Sequence, residues 1–346
     1  MKILCLETTC DETAAAVITG DLEVLGSVVA SQFDLHQAFN GVVPEIAARA
    51  HVERIFPVID ETLKQAKLGL KDLDAIAVAN TPGLSGSLIV GVVAAKTLCL
   101  VNRLPLLAIN HLHAHVYACQ LDSEESVFPC IGMVVSGGHT HLYEYEDAIT
   151  ATYLGGTIDD AAGEAFDKVA SMLGLGYPGG PAISKVAVSG DPAKHSFPRS
   201  FIHESRLDFS FSGLKTAVRY AIAGPGNNDV HSIKLTAQEI ADLAASFQQA
   251  VVDCLVSKAV KAVQQSKQSS NSSGLKTLCI GGGVAANRVF RDQLAQECEK
   301  QNIRLHFAPL KYCTDNAVMG AIAIERFKAG LFEDLELDIK PGLVRH

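Results

Sequence analysis

The sequence predicts an α/β protein built as two lobes. Three observations carry that prediction. Short apolar runs alternate with stretches of helical periodicity along the whole chain. A strand–turn–strand opening at residues 2–18 restarts at residues 130–145. The length, 346 residues, is too great for one typical domain and suits two.

The elements follow in order. Lys2 to Glu7 is an apolar run ending in the polar turn Thr8-Thr9-Cys10-Asp11, and Thr13 to Ile18 is a second run. Leu22 to Ala30 reads as a third strand. Pro44 to Gln65 has helical spacing, with Ile46, Ala50, Ile55, Val58, Ile59 and Leu63 on one side. Ala75 to Ala79 is a buried strand. The turn Asn80-Thr81-Pro82-Gly83 follows, and then a helix from Ser85 to Val101. The stretch Leu84–Val101 is apolar enough to raise a membrane span, but it holds Gly86, Gly91, Ser85, Ser87 and Lys96 between two strands. A buried helix is the better reading. Leu106 to Ile109 is another strand, and Asn110 is a good N-cap for a helix after it.

The plan then restarts. Cys130 to Val135 is a strand, Ser136-Gly137-Gly138-His139-Thr140 a tight loop, and His141 to Tyr145 a returning strand. Helices are expected at about residues 159–173, 181–189, 213–223 and 236–267. Gln264 to Gly274, rich in Ser, Gln and Asn, reads as an exposed, mobile loop. Leu278 to Ile280 is a strand, and Gly281-Gly282-Gly283 opens a helix from Val284 to about Lys300. Ile303 to Phe307 is the last strand, and a final helix runs from Asp315 to Phe327.

Composition excludes several classes. Hydrophobic residues make up 48% and charged ones 19%, so a large aliphatic core is expected and disorder is not. A net charge of −9 argues against a free-standing nucleic-acid binder, which must replace phosphate counterions. Nine cysteines without a CxxC pair read as reduced thiols of a cytoplasmic protein. Glu7, Asp11 and Glu12 interrupt the first apolar run, so no signal peptide is expected.

Chemistry concentrates in a few motifs. His111 and His115, four apart in Asn110-His111-Leu112-His113-Ala114-His115, share a helix face on which two imidazoles can hold one metal ion. His113 points roughly 200° away from His111. A metalloprotease would need Glu at the position of Leu112 to activate water. Asp315 begins a helix, where N-capping is the ordinary role. Ser136-Gly137-Gly138 and Gly281-Gly282-Gly283 follow strands, and Tyr177-Pro178-Gly179-Gly180-Pro181 precedes a helix; together they favour a phosphate or nucleotide ligand. No GxxxxGK[ST] sequence occurs. Asp159 and Asp160 suit the first turn of a helix, whereas Asp167, two turns in, could accept hydrogen bonds from a ribose or hydroxyl. Asn287, one turn past the glycine triplet, could reach a ligand on that loop. Lys194, Arg199, Arg206, Lys215 and Arg219 form a local basic stretch.

These motifs, in order, resemble the TsaD/Gcp family of tRNA threonylcarbamoyladenosine synthases, in its bacterial branch. The resemblance rests on Glu7-Thr8-Thr9-Cys10-Asp11-Glu12-Thr13, on residues 110–115, on residues 136–140, and on Gly163-Glu164-Ala165-Phe166-Asp167-Lys168. It rests further on residues 177–181, on Gly281-Gly282-Gly283-Val284-Ala285-Ala286-Asn287, and on Cys313-Thr314-Asp315-Asn316. It implies a two-lobed actin-like (ribonuclease H-like) fold. The expected lobes are residues 1–128, completed by a C-terminal helix in 316–346, and residues 129–315. It implies transfer of the threonylcarbamoyl group from threonylcarbamoyl-AMP to N6 of adenosine 37 in tRNAs reading codons that begin with A, releasing AMP. His111, His115 and Asp315 would bind one divalent metal, taken as Fe2+, with zinc or manganese as other fits to two His and a carboxylate. Val134, Val135, Ser136, Gly137, Gly138, Asp167, Gly180 and Asn287 would bind the adenylate. Implied partners are tRNA, a TsaB-like paralogue pairing with the first lobe, a TsaE-like ATPase and a TsaC-like adenylate-forming enzyme, with no membrane. Ser184 stands where many members have Asp, which puts a carboxylate contact to the ribose in doubt. No general base stands out; Asp11, Glu12 and His139 are candidates by position. The rival readings are a small-molecule kinase of the actin-like superfamily, a metalloprotease and a nucleotide-binding scaffold.

Overall fold

The computed structural model describes residues 1–39, 41–225, 229–230, 232–266 and 276–342. The chain forms two compact units. The first comprises Met1–Glu125, Ala148–Thr150 and Ala308–His346, and the second Ser126–Asp147 and Ala151–Phe307. The segment 308–315, expected with the second lobe, therefore folds with the first. Residues 267–274 of the expected loop lie outside the described residues.

The first unit holds strands β1 (Lys2–Glu7), β2 (Glu12–Thr19), β3 (Val24–Ser31), β4 (Ala75–Thr81) and β5 (Leu106–Asn110). They form one sheet in the order β3-β2-β1-β4-β5. β1 is antiparallel to β2 and parallel to β4, and β4 is parallel to β5. The short helix α1 (Phe33–His36) leads to α2 (Pro44–Ala66), which packs with α3 (Ser85–Asn102) on one face of the sheet. Leu4, Leu6, Val17, Ile55, Ile59, Val78, Val92 and Cys99 build the core there. On the other side, Cys5 meets the 3-10 turn Val318–Ile322, its thiol donating to the Gly320 carbonyl at 3.4 Å. With both faces covered, β1 and β4 read as continuous apolar runs rather than alternating ones.

The second unit repeats this plan. Strands β6 (Cys130–Val135), β7 (Thr140–Tyr145), β8 (Ala151–Gly156), β9 (Thr277–Gly281) and β10 (Arg304–Phe307) are ordered β10-β9-β6-β7-β8. β6 is antiparallel to β7 and parallel to β9, as β1 is to β2 and β4. The suspected duplication is thus a duplication of topology. Strand β8 has no counterpart in the sequence reading, because Ala151–Gly156 lacks clean apolar alternation and is only partly buried. Helices α5 (Ala162–Met172), α6 (Gly179–Ala187), α7 (Ser212–Ala223), α8 (Ala237–Gln265) and α9 (Arg288–Lys300) complete the unit.

Three helix starts differ from expectation. α5 begins at Ala162, so Asp159 and Asp160 precede it. Asp159 instead accepts from Phe211 N (2.9 Å) and Ser212 N (3.3 Å), holding the start of α7, and Asp160 pairs with Lys168 (2.8 Å) and Lys215 (2.6 Å). The glycine triplet leads into a 3-10 turn, Gly283–Ala286, before α9 opens with Asn287 as its N-cap. After Asp315 comes the 318–322 turn, and only then α10 (Ala323–Lys328). The cap there is Asn316, whose Oδ1 accepts from Val318 N (2.9 Å) and Met319 N (3.2 Å). Asp315 is thereby relieved of the capping role.

α3 and α8 are long and apolar enough to cross a membrane. α3 lies against β4 and α2, as the buried-helix reading expects, and α8 packs on α6 and α9. Phe247 of α8 is fully buried and meets Phe166 of α5 edge-on, with ring centroids 5.2 Å apart. Phe247→Ala is predicted to cost about 3–5 kcal/mol through the cavity it leaves. Urea unfolding read on the second unit should show an earlier transition by that amount; a change below about 1 kcal/mol would contradict this packing.

Candidate functional site

α4 (His111–Tyr117) starts where β5 ends, at the carboxyl edge of the parallel strands. Asn110 caps it, its Oδ1 accepting from Leu112 N (2.9 Å) and His113 N (3.4 Å). The cap fixes the first turn, so His111 and His115 stack on one face with ring centroids 4.6 Å apart. Asp315 arrives from the far end of the sequence. Its Oδ1 lies 3.6 Å from His111 Nε2 and 3.2 Å from His115 Nε2. All three residues belong to the first unit.

The donor atoms of the three side chains lie within 4.8 Å of one another. Ligands about 2.1 Å from a common tetrahedral ion sit roughly 3.4 Å apart, so the observed spacings match a shared cation. Neither ring nitrogen of the fully buried His115 has a hydrogen-bond partner among the described residues; Asp315 is within ion-pair distance of Nε2 but without hydrogen-bonding alignment. An unsatisfied buried imidazole is costly, and a cation at this point would satisfy it.

Glu7, quoted in the sequence motif but given no role there, proves central. Its Oε2 is 3.0 Å from His111 Nδ1, and Thr9 Oγ1 is 3.2 Å from the same nitrogen. A carboxylate only accepts, so Nδ1 carries the proton and Nε2 of the neutral ring turns its lone pair toward Asp315. No spacing rule could have found Glu7, since 104 residues separate it from His111.

Charges set the protonation states. Burial pushes the His111 pKa down, but the Glu7 and Asp315 carboxylates and the Glu7 hydrogen bond reverse this and hold it near about 9. For His115, burial lowers the pKa, the Asp315 carboxylate beside Nε2 acts against this, and neighbouring His111 lowers it further. His113 is pushed down to about 4 by burial and Arg326, and it sits off the site as its helical angle requires. Of the base candidates, Glu12 is pushed up to about 10 by burial and by Asp315 and Asp11. Asp11 is half-buried beside it on the same turn.

The glycine loops gather in the second unit. Val134 pairs in parallel with Gly281, placing the ends of β6 and β9 side by side. Gly282 adopts φ +94°, and a Cβ there would strike the Val135 carbonyl oxygen, so only glycine permits this approach. Ser136 N donates to His139 O (2.8 Å), closing the loop, and Gly163 N at the start of α5 donates to Ser136 O (3.2 Å). Open space surrounds the Cα positions of Gly137, Gly138 and Gly180. His139 is half-buried, its ring 5.7 Å from that of His141.

Two expected ligand contacts already have internal partners. Asp167 Oδ1 accepts from Gly179 N (2.7 Å), joining α5 to the start of α6. Asn287 Oδ1 accepts from Phe290 N (3.1 Å), while its Nδ2 donates to Ser184 Oγ (3.1 Å) and Gln248 Oε1 (2.9 Å). Ser184 Oγ donates to Gln248 Oε1 as well (2.8 Å). The expected basic stretch is largely neutralised: Arg199 pairs with Asp253, Arg206 with Asp208 and Lys215 with Asp160.

Residues 23–322 match the family model described as TsaD: tRNA N6-adenosine threonylcarbamoyltransferase. A protein of that name from Rhodopirellula baltica is 57% identical, covering 99% of this chain and 97% of its own length. One from Symbiobacterium thermophilum is 47% identical, covering 99% and 96%. Among solved structures, full-length HypF in its phosphate- and nucleotide-bound form aligns with a TM-score of 0.60 at 13% identity, covering 94% of this chain and 56% of that one. This last likeness concerns the fold, which is the actin-like one.

The His111 pKa gives a signed prediction. It is raised above the ordinary 6.5, so protonation stabilises the cation-free fold below about pH 6.5, and that contribution is lost as pH rises through about 9. A divalent cation must displace this proton. Its apparent affinity should rise by up to about tenfold per pH unit between pH 7 and 9, with release of about one proton per ion. Calorimetric titration in buffers of different ionisation enthalpy measures that proton; zero release at pH 7 would refute the assignment.

Proposed function

Since the chain belongs to the TsaD family of tRNA N6-adenosine threonylcarbamoyltransferases, we propose that His111, His115 and Asp315 form its cation site and that the glycine loops bind its adenylate donor. The donor in this reading is threonylcarbamoyl-AMP and the acceptor is N6 of adenosine 37 in tRNAs reading codons that begin with A. The observation that carries it is the convergence of His111, His115 and Asp315 on one point of a chain with that family membership.

The donor is a mixed acyl–phosphate anhydride and needs no further activation. The acceptor amine is weak, because its lone pair is delocalised into the purine. In the second unit, the Gly137 and Gly138 backbone of the Ser136-Gly137-Gly138 loop would offer its N–H groups to a phosphate, and the adjoining start of α5 adds the positive end of its dipole. This arrangement favours the charge that AMP carries away as leaving group. Val134 and Val135 shape the loop's root, and Gly180 lets a nucleotide approach the α6 backbone. A contact from Asn287 or Asp167 requires a ligand to share or replace the hydrogen bonds each now makes. Ser184, committed to Gln248, offers a hydroxyl rather than a carboxylate.

In the first unit, Glu7 holds His111 in the ligating tautomer and Asp315 supplies the third donor. Two imidazoles and a carboxylate fit Fe2+, and they fit zinc or manganese too. A cation held by these residues would supply Lewis acidity to the reaction.

The paralogous partner has a surface to meet. Val52 and Phe56 on α2, with Ile89 and Val93 on α3, are each about half exposed and spaced four apart along neighbouring helices. A TsaB-like protein docking its own helices there is the reading we favour. The TsaE-like ATPase, the TsaC-like enzyme and the cytoplasmic setting follow from the family reading. The acidic total and the paired arginines suit a tRNA surface shared with partners.

Two outcomes check this reading. His111→Ala and His115→Ala should each lose nearly all transfer to tRNA from preformed threonylcarbamoyl-AMP, measured by mass analysis of nucleosides; full activity in either variant would remove the cation from the mechanism. Phe56→Asp should abolish co-purification with the TsaB-like partner while leaving metal content unchanged, and unaltered pairing would move the interface elsewhere.

A further inference from the structure

We propose that His51 is a positioning residue for the cation site: from α2 it fixes the turn between β1 and β2, and through that turn the ring of His111. This rests on the reading of His111, His115 and Asp315 as cation ligands.

His51 is fully buried, whereas the next residue, Val52, faces outward. Its Nε2 lies 2.9 Å from the Cys10 carbonyl oxygen and its Nδ1 2.8 Å from Thr13 Oγ1. A carbonyl can only accept, so Nε2–H donates to Cys10, and Nδ1 accepts from the Thr13 hydroxyl. One neutral ring thus ties Cys10, on the turn between β1 and β2, to Thr13 in the first residues of β2, with Asp11 and Glu12 between them. Burial, which lowers the pKa of the ring, favours that neutral state. A purely packing role would be served by an apolar side chain; two oriented hydrogen bonds across a turn serve to place the turn.

The same turn is gripped from α3. Thr8 Oγ1 donates to the Ser87 carbonyl (3.0 Å), and Ser87 Oγ is 3.3 Å from the Cys10 carbonyl, a second donor on the oxygen His51 holds. A Cβ at Gly91 would collide with Thr8 Oγ1, so the helix backbone presses directly on the loop. On the loop's far side, Thr9 N donates to Glu7 Oε1 (2.6 Å), and Thr9 Oγ1 and Glu7 Oε2 both meet His111 Nδ1. The path from His51 to His111 therefore consists of one carbonyl, one short turn and two side chains. Loosening its first link frees the Thr9–Glu7 pair that sets the His111 tautomer.

The test is Co2+ binding to the full chain, followed by visible absorption, which reports both affinity and ligand geometry. The wild type should bind one Co2+ and His111→Ala none. His51→Leu should weaken binding by up to about 10-fold, the low end of what loss of a group bonded directly to a ligand costs, and change the band shape, with far-ultraviolet circular dichroism unchanged. His51→Gln, whose amide can donate to the Cys10 carbonyl, should recover part of the loss. If His51→Leu does not fold, Thr13→Val combined with Ser87→Ala, which keeps the ring but removes two of the ties, takes its place with the same expected direction. Absence of Co2+ binding in the wild type, or unchanged binding in His111→Ala, overturns the cation-site reading itself. Normal loss in His111→Ala together with wild-type affinity and spectrum in His51→Leu, or in the double variant where that stands in, overturns the role of His51 alone.

Discussion

The contact between Glu7 and His111 is the interaction on which the first unit's chemistry depends. It joins the end of β1 to the start of α4, two elements that meet only because β1, β4 and β5 run parallel in one sheet. A carboxylate buried this deeply needs partners, and it has them in Thr9 N and His111 Nδ1. The same partnership decides which imidazole nitrogen faces Asp315. Burial pushes the His111 pKa down, and the Glu7 and Asp315 carboxylates together pull it up.

The duplicated topology explains why each unit gathers one cluster of loops at its strand ends. In each unit an antiparallel three-strand segment adjoins two parallel strands, and the loops leaving the parallel strand ends come together. In the first unit those loops carry Glu7, Thr9 and His111. In the second they carry Ser136 to Gly138 and Gly281 to Gly283. One architecture thus offers side-chain ligands in one unit and backbone donors in the other. The difference lies in residue type: histidine and carboxylates bind cations, while glycines expose N–H groups to anions.

Several carboxylates and amides that looked available as ligand contacts turn out to hold elements together. Asp159 caps α7 from a distance of 52 residues, Asp167 joins α5 to α6, and Asn287 caps α9 while bridging to Ser184 and Gln248. Such groups are placed by the fold first and are offered to a ligand second. Asp315 shows the opposite case, because Asn316 takes the capping bonds beside it.

The sequence by itself determined the α/β class, the repeated plan, most strand positions and the His111–His115 pair. These are local matters: apolar runs set strands, period sets helices, and a spacing of four puts two rings on one helix face. The helices expected from Asp159, Val284 and Asp315 begin instead at Ala162, Arg288 and Ala323. Each is fixed by a turn or a distant cap rather than by periodicity. Strand β8 was hidden because partial burial blurs its alternation. Asp315 entered only through resemblance to a family, and Glu7 had no role until its neighbours were seen. Tertiary structure alone decided that Glu7, His111 and Asp315 meet, since sequence separation says nothing about which loop ends a parallel sheet gathers. It also decided which nitrogen of His111 faces Glu7 and which faces Asp315, because a tautomer is set by the hydrogen-bond acceptor beside the ring.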